Sequence, residues 1–212
     1  MVVRSLAGRA IISVRERSLK WKLSNDDSQV RLNDAFIKAN IFKAKGAVFT
    51  VKGTLRFESF MQNKSPINII LRKNATFQIN GDLNITAGSC ISLDENGFLK
   101  MAGEYAIINS TIAVQKRVEI GKECMISEHS YITDSHNHYI EYNGTPSPLQ
   151  SDTTIGNHVW VCLGSSILKG TTIGDGCIVA ARSVVCGGTY PENPLIAGIP
   201  AKVIRNNCKW KP

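Results

Sequence analysis

This sequence has few aromatic residues, 7% of 212, and only four histidines. It also lacks any apolar run close to the roughly 18 to 20 residues that a membrane-spanning helix needs. Met1–Trp21 does not resemble a signal peptide, because charged residues interrupt every apolar segment there. These residues are Arg9, Arg15, Glu16 and Arg17. The absences predict one globular domain, or one domain with an appendage, in the cytoplasm.

The sequence has no CxxC pair among its six cysteines, and it is long enough to build a core without disulfides. The cysteines are Cys90, Cys124, Cys162, Cys177, Cys186 and Cys208. We therefore predict that they are reduced and mainly structural.

Acidic residues are scarce: 17 stand against 25 basic ones, which gives a net charge of +8. The basic residues cluster at the two ends, at Arg4, Arg9, Arg15, Arg17, Lys20 and Lys22, and again at Lys202, Arg205, Lys209 and Lys211. The sequence has no zinc-finger spacing, no RNP motif and no aromatic residues interleaved with these clusters, so we expect no nucleic-acid partner. An anionic small molecule, a polysaccharide or a membrane surface fits the charge, as does a merely solvated basic face.

The most informative pattern is a six-residue period of aliphatic residues. It is in phase at Ile155, Val161, Ile167, Ile173, Val179 and Val185. It continues upstream at Ile108, Val114, Ile120, Ile126 and Ile132, and more weakly at Leu71, Phe77, Ile79, Leu83, Ile85 and Ile91. The period matches neither the 3.6 residues of a helix turn nor the alternation of a hairpin meander.

A six-residue repeat of this kind suits a triangular β-solenoid. Each flat face is a short strand of parallel sheet, three hexads complete one coil, and the aliphatic residues stack inward in columns. The phase shifts between Ile91 and Ile108 and breaks between Ile132 and Ile155. We therefore expect an irregular coil near residues 94–105 and a protruding loop at 133–154, and loops of this length are usually functional or disordered.

The two ends of the chain do not keep the period. Residues 1–45 are predicted to form a non-repeat basic segment, in which Arg4–Leu23 fits a basic amphipathic helix or a strand. The solenoid is predicted at 46–190. Residues 191–212 are predicted to form a C-terminal extension, because prolines end the repeat there.

Two stretches resemble a known family. They are IGNHVWVCLGSSILKGTTIGDGCIVAARSVV at Ile155–Val185 and PLIAGIPAKVIR at Pro194–Arg205. Both resemble the hexapeptide-repeat acyltransferases, an all-β family with a left-handed parallel β-helix, and among them the O-acetyltransferases of bacterial surface polysaccharides. The left hand is implied by the resemblance and not by the spacing, since ordinary parallel crossovers are right-handed.

The resemblance implies acetyl-CoA as donor, no metal, and a homotrimer with active sites between neighbouring solenoids. Basic residues of the PAKVIR stretch would meet the nucleotide phosphates, and the pantetheine arm would lie along the coils. The implied cofactor-binding residues are Trp160, Leu163, Gly164, Ala180, Ala181, Ser183, Cys186, Gly187, Lys202 and Arg205. The chain departs from the usual Gly, Gly and Lys at Cys162, Arg182 and Gly187, and Arg182 would either alter the approach of the cofactor or face solvent.

Acetyl transfer to a sugar hydroxyl needs a base, and histidine is the usual base near neutral pH. The family places its catalytic histidine in the loop that interrupts the repeats. Its longer motif, aligned on Asp134–Ile140, makes His138 the base, whereas a shorter pattern makes His136 the base. Asp134 would fix the tautomer of the histidine ring or serve as a turn residue.

The remaining predicted residues surround this base. We expect backbone N–H donors for the tetrahedral oxyanion near Leu163 and Gly164. The acceptor pocket is predicted to include Asn137, Tyr139, Glu141 and Tyr142. Trp160 would pack near cofactor and acceptor, or would serve only as a structural corner, and His158 is expected to face solvent. We expect direct transfer without an acyl-enzyme, because the cysteines near the cofactor occupy structural repeat positions.

Two other classes remain open at the level of sequence. The γ-type carbonic anhydrases share the solenoid and bind zinc through three histidines, and this chain has three between 129 and 138. Their ligands spread over several coils, however, and the PAKVIR tail is an acyltransferase feature. A non-catalytic assembly protein is the other class, against which the paired histidines argue. For the acetyltransferase, the acceptor would be a sugar of capsule, O-antigen or exopolysaccharide, and the basic N-terminus suggests one that is large, acidic or lipid-linked at the inner face of the membrane.

Overall fold

The structure is a computed structural model that describes residues 3–6, 9–14, 29–32, 38–103 and 106–212. Within these ranges the chain forms strands and turns. No described segment is a helix with the length and apolarity needed to cross a membrane.

The strands form three faces of a triangular prism, and the chain visits the faces in turn. The first face contains β1 (Val3–Leu6), β2 (Arg9–Val14), β4 (Ala39–Lys43), β7 (Ile67–Leu71), β10 (Cys90–Leu93), β13 (Thr111–Val114), β16 (Tyr131–Thr133), β21 (Ser166–Ile167) and β24 (Val184–Val185). The second contains β5 (Val48–Lys52), β8 (Thr76–Asn80), β11 (Phe98–Met101), β14 (Arg117–Ile120), β19 (Thr153–Ile155), β22 (Thr171–Ile173) and β25 (Gly188–Tyr190). The third contains β3 (Gln29–Leu32), β6 (Thr54–Glu58), β9 (Leu83–Thr86), β12 (Ala106–Ile107), β15 (Met125–Ile126), β20 (Trp160–Val161), β23 (Ile178–Val179), β26 (Leu195–Gly198) and β27 (Ala201–Arg205).

Three corners join these faces, and we number them in chain order. The first corner leads from the first face to the second, the second corner from the second to the third, and the third corner from the third back to the first. Neighbouring coils pair in parallel along each face, for example Ile132 with Ile167 and Ile167 with Val185. The predicted parallel β-helix is therefore present.

Inward side chains of successive coils stack into the predicted core. On the first face the column is Ile69, Ile91, Ile112, Ile132, Ile167 and Val185, all with no exposed surface. Burial of each such side chain contributes roughly 1.5 to 3 kcal/mol, so the columns supply the main stabilisation of the coils. The six residues that define the period from Ile155 to Val185 are all buried.

Coil length varies along the chain. In the last coils Ile167 pairs with Val185, 18 residues later, as three hexads require. Nearer the N-terminus Ile41 pairs with Ile69, 28 residues later, since the strands there have five residues instead of two. Ile91 pairs with Ile112 after 21 residues, which agrees with the irregular coil expected at 94–105, although residues 104 and 105 are outside the described ranges.

Ile108, which the sequence predicted to be a member of the core columns, does not point into the core. Ile107 is buried and pairs with Ile126 on the third face, whereas Ile108 is only half-buried. The step from Ile107 to Ile126 is 19 residues, so this coil has one residue more than three hexads. That extra residue shifts the inward position by one, because neighbouring residues of a strand face opposite sides.

The parallel ladder begins before residue 46, where the sequence predicted the solenoid to start. Strand β3 pairs with β6, and β4 pairs with β7, both in parallel. These strands lack the six-residue period but have the alternation of a strand, and Ala39 and Ile41 of β4 are buried. Of the two alternatives for Arg4–Leu23, the described part forms strands: β1 and β2 are antiparallel, and β2 is antiparallel to β4. Residues 15–28 are outside the described ranges.

Candidate active site

A loop of residues 134–152 projects from the first corner, between β16 and β19. It carries an antiparallel hairpin of β17 (Ile140–Tyr142) and β18 (Thr145–Ser147). The parallel ladder continues without interruption beneath the loop, because Tyr131 pairs with both Thr111 and Ser166. The loop is thus an insertion into a corner and leaves the coils intact.

Asp134 anchors the start of this loop. Its side chain is fully buried, and its carboxylate accepts hydrogen bonds from three successive backbone N–H groups. The donors are Gln115 at 2.8 Å, Lys116 at 2.7 Å and Arg117 at 2.6 Å. Three converging N–H dipoles compensate a buried carboxylate that would otherwise be costly. No described histidine ring bonds to Asp134, so its observed contacts fit the turn role and not the orientation of a histidine.

Gln115 is a second anchor, and the sequence analysis missed it. Its Oε1 accepts hydrogen bonds from Gln150 Nε2 at 3.2 Å and from Ser135 Oγ at 2.7 Å, and its Nε2 donates to Asn137 Oδ1. The side chain of Asn137, predicted to line the acceptor pocket, therefore bonds to the solenoid. Only the stacking of coils brings Gln115 beside the loop, so no local sequence signal could have indicated it.

Lys169 holds the returning arm of the loop one coil further on. Its Nζ donates to Ser147 Oγ at 3.2 Å and to the backbone oxygen of Pro148. The neighbouring Gly170 N–H donates to the Ser151 oxygen at 3.1 Å. Both arms of the loop are therefore fixed to the first corner.

The two candidate bases, His136 and His138, are exposed on this anchored loop. Neither ring has a hydrogen-bond partner among the described residues, while the backbone N–H of His136 donates to Leu149. The adjacent hairpin presents Tyr139 and Tyr142, which are 83% and 78% exposed, and Glu141 between them is exposed too. The predicted acceptor side chains are thus exposed on the same loop as the histidines, and that of Asn137 is bonded to Gln115.

The third corner contains five of the predicted cofactor residues: Leu163, Gly164, Ala180, Ala181 and Ser183. Here Arg182 has φ +58°, and its N–H donates to the Leu163 oxygen at 2.8 Å. Its Cγ is 3.5 Å from the position that a Cβ on Gly164 would take. Arg182 is exposed and lies over the turn of the preceding coil, which agrees with the solvent-facing alternative.

Buried serines line the inside of the third corner. They are Ser89, Ser110, Ser130, Ser165 and Ser183, each at most 2% exposed. Ser165 Oγ donates to the Ala180 oxygen at 2.8 Å, and Ser183 Oγ accepts from the Gly198 N–H at 3.2 Å. The hydroxyl of Ser183 thus faces the corner interior.

Trp160 lies on the third face beside the C-terminal tail. Its Nε1 donates to Ser127 Oγ at 2.9 Å, and its ring centroid is 5.8 Å from that of Trp210. Trp210 also stacks on His158, with centroids 4.3 Å apart, and donates from Nε1 to the His158 oxygen at 2.8 Å. His158, expected to face solvent, does so only in part: its side chain is 36% exposed, and Trp210 covers one face of its ring.

We expect Trp210→Ala to lower the free energy of unfolding by about 2 to 4 kcal/mol, because the variant loses the stacked ring and its hydrogen bond. Trp210→Phe keeps an aromatic ring and should lose about 1 kcal/mol. Thermal and urea denaturation of the three proteins measure this, and limited proteolysis reports release of the tail. Equal stability of all three would show that the tail does not depend on this contact.

Lys202 and Arg205, the predicted phosphate contacts, are exposed on β27, the last strand of the third face. Lys202 pairs with Ala197 and Arg205 with Leu195 across an antiparallel ladder. The other two predicted cofactor residues, Cys186 and Gly187, lie instead at the first corner, on the side of the histidine loop. Within one chain the predicted site residues are therefore distributed between the first corner and the third corner.

The described cysteines are free thiols, as predicted. Burial raises the pKa of Cys124 and of Cys177 to about 12, and that of Cys162 to about 11. A thiol with such a pKa is almost entirely protonated at neutral pH and is a poor nucleophile. Among the described residues no three His, Cys, Asp or Glu side chains converge as metal ligands.

A parallel β-helix whose coils are built from six-residue repeats defines the hexapeptide-repeat class of proteins. The sequence profile of the bacterial transferase hexapeptide (six repeats) matches residues 152–187. A protein of Escherichia coli K12 named as a lipopolysaccharide biosynthesis O-acetyl transferase, WbbJ, is 33% identical over 162 residues, 71% of this chain and 77% of the relative.

Two further comparisons agree. The polysialic acid O-acetyltransferase of Neisseria meningitidis is 34% identical over 149 residues, 68% of each chain. The crystal structure of the polysialic acid O-acetyltransferase OatWY has a TM-score of 0.59 and 23% identity, and the match covers 88% of this chain and 90% of that one. The chain belongs to the hexapeptide-repeat acyltransferases, with their left-handed β-helix, and is an O-acetyltransferase.

Proposed function

We propose that this enzyme transfers acetyl from acetyl-CoA to a hydroxyl of a sugar in a surface polysaccharide or its precursor. The observation that supports this most is the exposed pair His136 and His138 on a loop that buried Asp134 fixes to the solenoid. Relatives named for lipopolysaccharide and polysialic acid support the choice of acceptor class. Such acceptors are assembled from activated sugars, so we place the enzyme in the cytoplasm, at the inner face of the membrane for a lipid-linked acceptor.

In the proposed mechanism His138 removes the proton of the acceptor hydroxyl as its oxygen attacks the thioester carbonyl. Backbone N–H groups near Leu163 and Gly164 stabilise the tetrahedral oxyanion. The C–S bond then breaks, and CoA leaves as a thiol with the proton returned by the histidine. The high pKa values of Cys162 and Cys177 support direct transfer over an acetyl-cysteine.

The proposed site needs two copies of the chain. The histidine loop is at the first corner, and Leu163, Gly164 and Ala181 are at the third corner, on the opposite edge of the first face. A face of about six residues is roughly 18 to 20 Å wide, beyond the reach of a side chain. Lys169 and Gln115 hold the loop at its own corner. A homotrimer in which the histidine-loop end of the first corner of one copy meets the third corner of the next completes three identical sites.

Intersubunit complementation tests this arrangement. His138→Ala and the double variant Lys202→Glu/Arg205→Glu should each be nearly inactive alone. Trimers that contain both variants retain one interface with an intact histidine and an intact cation pair. We therefore expect each mixed trimer to have roughly a third of the wild-type activity, and an equal, randomly coexpressed population to have roughly a quarter of it, because about three quarters of its trimers are mixed. Mixed trimers without activity would place the histidine and the cations of each site on the same subunit.

The acceptor is tested by CoA release from acetyl-CoA in the presence of nucleotide sugars, free monosaccharides and polysaccharide repeat units. We expect carbohydrate-dependent release of CoA and an O-acetyl ester on the product by mass spectrometry. If no carbohydrate in the screen became acetylated, and acetyl were transferred to another class of hydroxyl compound, the proposal would be contradicted. Stoichiometric zinc bound by the histidines would instead support the carbonic-anhydrase alternative.

A further inference from the structure

We propose that the N-terminal end of the first corner holds an anionic stretch of the polysaccharide acceptor while another sugar unit of the same polysaccharide reacts at the histidine loop. This inference rests on the proposed function, since it concerns how the acceptor is held. It depends on a groove that lies away from every residue assigned above to the cofactor, the base or the acceptor hydroxyl.

The groove has a volume of about 730 Å³ and runs across three successive turns of the first corner. Its lining residues are Phe42, Lys43, Ala44, Lys45, Ile70, Leu71, Arg72, Lys73, Asp94 and Glu95. Phe42 and Ile70 are partners on adjacent strands, and both face outward and are half-buried. The groove therefore has an apolar floor with charged side chains along its rim.

Four cations and two carboxylates make up that rim, so positive charge is in excess. Arg72 Nε is 2.9 Å from Asp94 Oδ1, and Lys73 Nζ is 3.0 Å from Glu95 Oε1. Neither Lys43 nor Lys45 has an ion-pair partner among the described residues. Within the described part of the chain the two lysines are therefore open to a carboxylate or phosphate of a ligand, and such charge-assisted contacts are strong.

An apolar floor with cations above it suits an acidic sugar chain. The C–H face of a pyranose ring packs on aromatic and aliphatic side chains such as Phe42 and Ile70, and its carboxylate pairs with lysine or arginine. A groove open along the corner accommodates several linked units of such a chain.

The position of the groove relative to the loop favours the acceptor over an unrelated anion. The corner turns at 44–46, 72–74, 94–96 and 115–117 follow one another down the same edge, and the loop projects from the next turn. Coils are about 4.8 Å apart, so the groove extends from roughly 10 Å to roughly 19 Å from the coil of the histidine loop, with Lys43 and Lys45 at its far end. A monosaccharide cannot contact both places, but a chain of several units can.

The test uses Lys43→Glu/Lys45→Glu, with Lys52→Glu/Lys122→Glu as the control. The control makes the same change in charge at exposed lysines beside the second corner. The probes are oligogalacturonates of graded length and neutral maltooligosaccharides of matching length, measured by titration calorimetry without acetyl-CoA. We expect the wild type to bind the longer acidic chains only, more weakly at high salt, because surface charges are screened.

The groove variant should bind these chains about tenfold more weakly, while the control keeps wild-type affinity. Equal loss in both variants would show that net charge alone attracts the chains, and no binding by the wild type would overturn the proposal. Binding to vesicles containing anionic lipid, but to no oligosaccharide, would overturn it in favour of a membrane surface. Acetyl transfer to short acceptors should be unchanged in the groove variant. A defect that is confined to long acidic chains can therefore be distinguished from failure of the proposed acetyl transfer itself.

Discussion

Replacing His138 by alanine is expected to reduce kcat for acetyl transfer by about a hundredfold to ten-thousandfold, the usual contribution of a general base. The ring of His138 is exposed and has no partner among the described residues, so its loss removes no contact that stabilises the fold. Thermal stability, and the proposed trimer as measured by light scattering, should therefore stay as in the wild type. CoA release with the best acceptor measures the rate.

His136→Ala is the matched control, because it removes an exposed histidine from the same loop. We expect this variant to keep most of the wild-type kcat. If His136→Ala is inactive and His138→Ala is fully active, the base is His136, as the shorter family pattern indicates. Full activity of the double variant would exclude both and would contradict the proposed mechanism.

Asp134→Ala should lower the free energy of unfolding by about 3 to 5 kcal/mol, because three backbone N–H groups lose their common acceptor inside the protein. Asp134→Asn should be nearly as damaging, since the amide has one accepting oxygen and its NH2 group would face N–H donors. Urea denaturation measures both. Activity should fall together with stability, because the loop that carries the histidines starts at this residue.

Asp152→Ala is the control for charge on the same loop. Asp152 is half exposed and pairs with Lys116 at 2.7 Å, so its loss should cost less than about 1 kcal/mol. If Asp134→Ala keeps wild-type stability but loses activity, then Asp134 acts on a histidine ring as the sequence also suggested, and the turn role is wrong. Loss of stability with a matching loss of activity supports the anchor.

The sequence predicted the solenoid well where the hexads are regular. The columns at Ile155, Val161 and Ile167 could be placed because one aliphatic residue per face determines the register of each coil. Upstream the strands are longer, and one extra residue in a coil places Ile107 inward where Ile108 was expected. A period alone cannot locate such an insertion, since both residues are isoleucines and suit either position.

The site was predicted less completely, for a physical reason. The loop histidines stand in one short motif and could be found locally. The contacts of Gln115 with Gln150, and of Trp210 with His158, join residues that are 35 and 52 positions apart and meet only because coils stack or the tail folds back. The sequence pointed to Asp134 but left two roles open, orienting a histidine ring or stabilising a turn. Only the direction of its carboxylate in the structure distinguishes them.

The two ends of the histidine loop meet at its base. The backbone N–H of Ser151 donates to the backbone oxygen of Asp134 at 2.9 Å, and Ser135 forms an antiparallel β-bridge with Gln150. Beyond this closed base, the solenoid contacts the loop through Gln115 at Asn137 and through Lys169 at Ser147 and Pro148. The hairpin segment 139–146 lies outside these contacts and does not include His138, so acceptor preference can diverge or be redesigned there while the core columns stay unchanged.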